Sequence, residues 1–263
     1  QANGGDKIDL TSTGFKIKNN NADLNGNGNT IIYLAIRRSD GYVGKLYGAG
    51  EGTSVFAMDD TMNSEAPRFT SGFPVDFSLT RDPDVGGTWY SWHTGARLLQ
   101  GKYQLTATNN TWADGGNFQY DYNDGIFIGQ WTDYMSWMWK RHAGFDVVTY
   151  KGNGTFPRAM PHSLNAVPEM IWVKSRTNTY NWEVYHKGLN GGTNPEDYHI
   201  KLNQTNAASQ TVDMWSSTAP NATHYFMGDH AVNANNQSFI AMLFASVDGI
   251  SKVGSYTGNG STR

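Results

Sequence analysis

The chain alternates between apolar and polar positions over short stretches, a pattern that predicts β-strands. Trp182-Glu183-Val184-Tyr185 shows the period of two, and Met170-Ile171-Trp172-Val173-Lys174 is a short apolar run typical of a strand buried on both faces. No segment keeps a period of 3.6 long enough to predict a helix of about 10 residues. In the second half of the chain, strands are predicted at 146–150, 170–174, 182–185, 199–202, 211–215, 225–228 and 239–245.

The first half has the same character, with Gly- and Asn-rich turns between short strand patterns. Strands are predicted at 14–17, 30–36, 76–81, 88–93, 102–106, 126–129 and 133–139. The fold class is therefore all-β.

One short motif recurs along the chain. Tyr150-Lys151-Gly152-Asn153-Gly154 returns as Tyr256-Thr257-Gly258-Asn259-Gly260, and a weaker copy begins at Tyr47. The three tyrosines are 103 (150 − 47) and 106 (256 − 150) residues apart, and residues 25–36 align in register with 233–244. These matched offsets predict tandem units of about 105 residues, each long enough to bury a core of its own.

The repeat divides the chain. Residues 1–41 are predicted to be the second half of a truncated β-sandwich repeat, 42–143 the first complete repeat, 144–249 the second, and 250–263 the first strand of a further repeat. A start within a repeat means either a fragment of a longer polypeptide, which we favour, or a half completed by a neighbour. Seven short strands per unit predict tandem antiparallel β-sandwiches, and the short linkers predict neighbours stacked in a fixed relation.

Composition excludes several classes of function. The net charge is −3 and Lys and Arg are scattered, so no basic stripe for nucleic acid is present. There is no Cys, which disfavours an animal secreted module. The longest strongly apolar run, 239–247, is too short for a membrane-spanning helix, and no membrane insertion is expected.

Catalytic chemistry is not predicted. A glycan hydrolase needs two carboxylates about 5–10 Å apart. The chain has only five Glu, none of them in such a set: Glu51, Glu65, Glu169, Glu183 and Glu196. The seven His lack the spacing of zinc ligands. The protein is therefore expected not to be an enzyme.

Asx-rich loops leave calcium as an alternative to the expected absence of a cofactor. Asp229 with Asn233 and Asn235, or Asp121 with Asn123 and Asp124, would supply hard oxygen ligands. Such loops are more often simple turns.

Two aromatic residues in turn-rich loops are candidates for sugar binding. Trp112 follows Asn109-Asn110-Thr111, and Tyr180 lies between Thr179 and Asn181. An exposed aromatic face with amides around it suits the apolar side of a pyranose, although contacts between subunits or domains would use the same residues. The tryptophans on strand patterns are expected to pack in the core: Trp89, Trp92, Trp137, Trp172 and Trp182.

Several stretches carry a resemblance to a known family. Val167 to Arg176, Asn181 to Leu189 and Gly228 to Phe244 resemble the tandem concanavalin A-like (laminin-G-like) domains of tailed-phage virion proteins, especially those of marine phages. The first unit shows cognate segments at 73–77, 95–99 and 138–140, and residues 9–36 resemble the same proteins. The first unit departs from the pattern at Phe77-Ser78-Leu79-Thr80, where the family has an apolar run followed by Lys.

The resemblance implies a concanavalin A-like jelly roll in an exposed virion appendage such as a tail fibre. The implied function is structural and adhesive, presenting lectin-like β-sandwiches for attachment to a host surface. Its expected partners are other virion subunits in a homo-oligomer and a host cell-surface glycan. The alternatives are a purely structural shaft or a capsid or tail decoration protein without ligand binding, and, less favoured, a glycan-degrading depolymerase.

Overall fold

The computed structural model describes residues 7–11, 14–18, 22–36, 54–83, 91–99, 101–115, 117–129, 133–228 and 230–260. Tyr47 and Trp89 lie outside these ranges. The strands before the first large sheet are β1 (Ile8–Thr11), β2 (Gly14–Ile17) and β3 (Thr30–Ile36), with a one-turn helix α1 (Ala22–Asn25) before β3. The sequence predictions of strands at 14–17 and 30–36 are confirmed.

The first large sheet and its covering strand pair are built from residues 56–139. The strands are β4 (Phe56–Asp59), β5 (Phe69–Thr70), β6 (Phe77–Arg81), β7 (His93–Ala96), β8 (Lys102–Leu105), β9 (Ala113–Asp114), β10 (Gly125–Ile126) and β11 (Met135–Trp139). Six of them form one antiparallel sheet in the order β4-β11-β6-β7-β8-β9, and β5 pairs with β10.

The second large sheet repeats this arrangement over residues 145–244. Its strands are β12 (Phe145–Lys151), β13 (Arg158–Pro161), β14 (Met170–Ser175), β15 (Glu183–His186), β16 (Tyr198–Lys201), β17 (Ser209–Gln210), β18 (His224–Met227) and β19 (Ser238–Phe244), with a one-turn helix α2 (His230–Asn233) before β19. The order is β12-β19-β14-β15-β16-β17, with β13 paired to β18. One further strand, β20 (Ser251–Thr257), follows.

The two halves therefore share one topology, and the prediction of an all-β protein with tandem antiparallel sheets is confirmed. The last strands of the two sheets end 105 residues apart (244 − 139), whereas the first strands begin 89 apart (145 − 56). The predicted unit length of about 105 residues thus matches the spacing of the last strands but not that of the first strands. The described residues also contain three short 3-10 turns: Arg97–Leu99, Leu189–Gly192 and Pro195–Asp197.

The two large sheets face each other across a shared apolar core. Phe77 and Trp139 of the first sheet pack in one cluster with Met242 and Phe244 of the second, and Trp182 is fully buried there. The period of two explains this, because alternate residues of a strand point to opposite faces. The second sheet is therefore apolar on both faces, as the run Met170–Val173 predicted.

Two smaller clusters cover the outer faces of the sheets. Phe69 and Ile126, from the pair β5·β10, pack on Met138 of the first sheet. Tyr225 and Met227 of β18 pack on Ile171, Val173 and their neighbours in the second sheet. The molecule is thus layered as strand pair, sheet, sheet, strand pair, with one core between each two layers.

One predicted strand is wrong. Residues 211–215 form a turn, in which Met214 N donates to Thr211 O at 3.0 Å and Ser217 N donates to Val212 O at 2.9 Å. Met214 and Trp215 are both buried although they are adjacent, which the alternation of a strand would not allow. The strand that pairs with β16 is β17, just before this turn.

Several strand boundaries also differ from the predictions. The strand predicted at 88–93 is displaced, since among its described residues, 91–93, only His93 belongs to a strand, β7. Six strands were not predicted at all: β1, β4, β5, β9, β13 and β17. These are edge strands or members of the small outer pairs, and their short or irregular patterns leave little periodicity to read.

Strand β20, predicted to begin a further repeat, pairs antiparallel with β3 over seven residue pairs, from Ser251↔Ile36 to Thr257↔Thr30. The second sheet contains the same seven-pair ladder between β12 and β19, from Phe145↔Phe244 to Lys151↔Ser238. Val253, at the centre of β20, is fully buried in the shared core. The region before the first sheet and the strand after the second thus come together.

The loops at the ends of these two ladders match as well. Tyr150 donates its hydroxyl hydrogen bond to Val232 O at 2.7 Å, and Tyr256 donates the equivalent bond to Leu24 O. We name the contact of 150–154 with 232–237 the second-sheet loop pair, and that of 256–260 with 24–29 the outer loop pair. Two of the three tyrosines that defined the sequence repeat therefore have like surroundings.

Candidate functional site

The two loops that carry the sugar-binding candidates lie side by side. Trp112 precedes β9 and Tyr180 lies between β14 and β15. Asn109 Nδ2 donates to Thr179 O at 3.2 Å, and Trp112 N donates to Arg176 O at 3.1 Å. The structure thus brings together, where the two sheets meet, two loops that are about 70 residues apart in sequence.

Trp112 is engaged within this contact. Its indole is half-buried against the shared core, the Arg176 guanidinium carbon lies 3.8 Å from the ring centroid, and Lys102 Nζ lies 5.3 Å from it. Both cations are attracted to the negative face of an aromatic ring. Burial lowers the pKa of Arg176. The ring of Trp112 therefore joins the first sheet to a loop of the second.

Tyr180 has a different environment. Its ring is half-buried and packs against the outer core of the second sheet, whereas Trp112 packs against the shared core. The amides nearby are held by one another, since Asn203 Nδ2 donates to Asn181 Oδ1 at 2.9 Å and Gln204 Nε2 donates to the same oxygen at 3.2 Å. That Trp112 and Tyr180 bind sugar stays a prediction.

A buried lysine beneath these loops was missed by the sequence reasoning. Lys174 is fully buried, and its Nζ donates to Ser175 O at 2.8 Å, Asn109 O at 3.2 Å and Asn178 O at 3.5 Å. Burial lowers its pKa to about 8. The available signal was its position, because Lys174 ends an apolar run and points, by the period of two, to the same face as Trp172.

The Lys174 ammonium helps to connect the two sheets. Its hydrogen bond to Asn109 O joins the second sheet to a loop of the first. Gln104 Nε2, in the first sheet, donates to Ser175 O of the second at 2.9 Å. Trp182 adds a third, donating from Nε1 to Leu105 O at 3.0 Å. Buried polar groups that are satisfied in this way fix the register of the two sheets.

The predicted calcium ligands are placed as follows. Asp229 lies outside the described residues, Asn235 is exposed, and Asn233 is fully buried. Asn233 Oδ1 accepts hydrogen bonds from Arg158 Nη1 at 2.8 Å and Asn153 N at 3.2 Å. The oxygen that would bind calcium is thus in contact with a cationic guanidinium. The other set, Asp121, Asn123 and Asp124, is exposed in the turn before β10.

Glu183 and His199 form a buried acid–base pair. Glu183 Oε2 and His199 Nε2 are 3.5 Å apart, and both side chains are almost fully buried. No group of three or more His, Asp or Glu that could hold a metal is found among the residues that the structure describes. Two cavities, one lined by Phe77 and Met242 and one by Trp139 and Phe244, measure about 10 Å³ each, which is room for about one water molecule.

The second half of the chain matches a known protein family. A family model described as a domain of unknown function, DUF7483, matches residues 129–263. The chain belongs to the DUF7483 family. The match takes in β11, the whole second sheet and β20. No curated protein and no solved structure matches the chain.

The DUF7483 match contains the second-sheet loop pair complete but only one side of the outer loop pair. Tyr256 and Asn259 lie inside the matched range, whereas their partners at 24–29 lie outside it. None of the helices in the described part of the chain has the length and apolar character needed to cross a lipid bilayer.

Proposed function

We propose that this protein is a non-enzymatic structural and adhesion protein of a phage virion appendage, such as a tail fibre, which presents β-sandwich units for attachment to a host surface. The virion assignment rests on the resemblance of residues 9–36, 73–77, 167–176 and 181–189 to phage appendage domains. One structural observation supports a mechanical role for the units, namely the apolar core that the two large sheets share.

The shared core makes the two sheets a single stiff body. It includes large side chains from both sheets, and satisfied hydrogen bonds from Gln104, Lys174 and Trp182 cross the same boundary. Domains joined only by flexible linkers move independently, whereas a large apolar interface fixes them. A stiff series of sandwiches suits a fibre that must project a surface away from a particle.

Adhesion would use the loop region around Tyr180. This ring is half-exposed beside Thr177, Asn178 and Asn181, and the loop of Trp112 lies next to it. Stacking of a pyranose on an aromatic face with amides around it is compatible with that composition. The second candidate function, a shaft or decoration protein without a ligand, is favoured by the ring of Trp112, which is covered by Arg176.

Glycan-array binding of the recombinant chain, combined with light scattering of its oligomeric state, tests the proposal. We expect array signals that Tyr180→Ala abolishes and that the matched exposed variant Val212→Ala leaves unchanged. A stable oligomer without any array signal would remove the adhesion role and leave the shaft. Release of reducing ends from a bound glycan would instead indicate a depolymerase and overturn the non-enzymatic part.

The virion location needs a separate experiment. Antibodies raised against the recombinant chain should label an appendage of intact phage particles in negative-stain electron microscopy. Absence of the chain from purified particles, measured by mass spectrometry, would overturn the virion assignment.

A further inference from the structure

The outer loop pair repeats the backbone bonds and the asparagine bond of the second-sheet loop pair. Asn153 N donates to Asn233 Oδ1 at 3.2 Å, and Asn259 N donates to Asn25 Oδ1 at 2.9 Å. The backbone contacts agree equally well: 2.9 Å from Gly154 N to the carbonyl of Asn233, and 3.0 Å from Gly260 N to the carbonyl of Asn25. A strand of the β12 type thus has a complete docking surface on 24–36.

The close approach of the two loops is also copied. A Cβ on Gly152 would lie 2.1 Å from Ala234 O, and one on Gly258 would lie 2.2 Å from Gly26 O. Both distances are far inside van der Waals contact, so each position requires glycine. The two loop pairs therefore agree in steric fit as well as in hydrogen bonding, as expected if residues 24–36 bind a strand of the β12 type.

Strand β20 is fixed to the second sheet independently of β3. Val253 N donates to Ser246 Oγ at 3.0 Å, Ser246 N donates to Glu169 Oε2 at 2.9 Å, and Lys187 Nζ pairs with Glu169 Oε1 at 2.5 Å. Val253 itself is buried in the shared core. Strand β20 is therefore anchored to the second sheet by these bonds, whereas its ladder partner is β3, whose Ile32 and Leu34 pack against the same shared core.

The segment that carries β3 is linked to the rest differently. Twenty peptide steps separate Ile36 from Phe56 (56 − 36), and a chain of that length reaches at most roughly 65 Å. A link of this length is no obstacle to pairing of β3 with a strand of another copy. No bond between β3 and β20 depends on the two strands belonging to the same molecule.

We propose that β20 of one copy pairs with β3 of a second copy, so that copies of this chain join head to tail. The partner is a second copy because its 24–36 surface accepts β20 through the seven-pair ladder and the loop bonds described above. Exchange of an identical element between copies needs no new contact. The interface is heterologous, so it forms a closed ring or an open series according to the rotation between copies. The inference does not depend on the proposed function.

Concentration decides between the two pairings. Within one copy, β3 competes at an effective concentration in the roughly millimolar range set by its link. Below that range the ratio of intermolecular to intramolecular pairing should rise about tenfold for a tenfold rise in protein concentration. Assembly on a particle, where copies are held close together, would favour the intermolecular form.

A disulfide test separates the two forms, because the chain has no Cys. Ser255 pairs with Ile32, and Gly258 N donates to Asn29 O three positions further along the same ladder. Because hydrogen-bonded and non-hydrogen-bonded pairs alternate along an antiparallel ladder, the pair 32–255 is non-hydrogen-bonded. Its short Cα separation therefore suits a disulfide. An isotopically labelled Ile32→Cys chain is mixed with an unlabelled Ser255→Cys chain and oxidised, and the linked peptides are quantified by mass spectrometry.

The matched control is the same register in the second sheet, where Thr149 pairs with Ile240. We expect 32–255 linkage between chains that rises with concentration, and far less 149–240 linkage in a mixture of Thr149→Cys and Ile240→Cys chains. Equal linkage in both mixtures, or only Ile32→Cys homodimers, would overturn the proposal. A chain carrying both Ile32→Cys and Ser255→Cys checks folding, and its failure to link at all would also overturn it.

Discussion

The second sheet and the pair β3·β20, which we call the outer strand pair, contain the same loop contact in two different surroundings. In the second sheet, β19 has a partner strand on each side, and Phe239 to Phe244 are almost fully buried. Among the described residues, β3 has β20 as its one partner strand, and Ile31 to Leu34 are half-buried. The local motif determines the hydrogen bonds, while the neighbouring layers determine how much free energy each bond contributes.

The largest difference should appear when the central asparagine is removed. The Asn233 side chain bonds with Asn153, Thr155 O and the charged Arg158, so Asn233→Ala should lower the free energy of unfolding by about 3 kcal/mol. Asn25 is buried as well, but Asn25→Ala should cost about 1 kcal/mol, because its bonds with Asn259 join neutral groups and the neighbouring strand β3 is only half-buried. Urea unfolding of both variants measures the two losses.

The asparagine comparison has an internal control. Asn236→Ala changes an exposed residue of the same loop, although its φ of 62° favours Asn. Its effect should stay below that of Asn233→Ala. Equal losses for Asn233→Ala and Asn25→Ala would contradict the view that the surrounding layers set the cost.

The glycine pair should give the next largest effect. Gly152→Ala and Gly258→Ala both drive a methyl group into a backbone carbonyl, and overpacking of this kind costs about 2 kcal/mol. We expect the full cost for Gly152→Ala in urea unfolding. Gly258→Ala should instead release β20 from β3 locally, measured as faster hydrogen exchange of the amides at 251–257.

Exposed neighbours provide the matched controls for the glycines. Lys151→Ala and Thr257→Ala occupy the preceding positions and should change neither stability nor exchange appreciably. If Gly258→Ala slowed exchange at 251–257, the close approach to Gly26 would be a wrong reading of that loop.

The tyrosines should show a smaller difference. Tyr150→Phe leaves the buried Val232 carbonyl without its 2.7 Å hydrogen bond, which should cost about 1 kcal/mol. Tyr256→Phe should cost less, since Tyr256 is more exposed. Thermal unfolding by calorimetry measures both, and a larger shift for Tyr256→Phe would reverse the comparison.

The sequence predicted the parts of the fold that depend on local contacts. Tyr150 and Tyr256 could be equated because their motif makes the same short-range turns, and the run at Met170 is the predicted strand. The shared core could not be predicted, because periodicity shows that both faces of β14 are apolar but not which layer covers each. The pairing of β20 with β3 joins residues more than 200 positions apart, and the pattern of apolar residues in a strand does not indicate which strand it pairs with.

The candidate site was predictable only in part. The loops of Trp112 and Tyr180 were correctly expected to lie outside the strands, since their Asn- and Thr-rich sequences form turns. That Arg176 covers Trp112, and that Lys174 lies beneath both loops, depends on how the two sheets stack. A loop sequence carries no information about a cation supplied by another unit.

The smallest effect is a dependence on pH near neutrality, located at the outer strand pair. Burial lowers the pKa of His186 to about 4, and the charge of Lys187 lowers it as well, while Glu169 and the backbone of Gly254 in β20 oppose the change. Below its ordinary pKa of 6.5 the unfolded chain binds a proton that the folded chain does not. The contribution of His186 to the free energy of unfolding is therefore fully present above about pH 6.5 and is lost as the pH falls toward 4.

Between pH 7 and pH 6 the part of this loss that is due to His186 should be under about 1 kcal/mol, and His186→Gln should remove that part. Burial lowers the pKa of His93 in the first sheet to about 4 as well, which makes His93→Gln the matched control for location. Hydrogen exchange at 251–257 should lose its pH dependence in His186→Gln and keep it in His93→Gln, after correction for the intrinsic rate. The opposite result would show that protonation of His186 does not affect the stability of β20, and that the second sheet does not influence the outer strand pair.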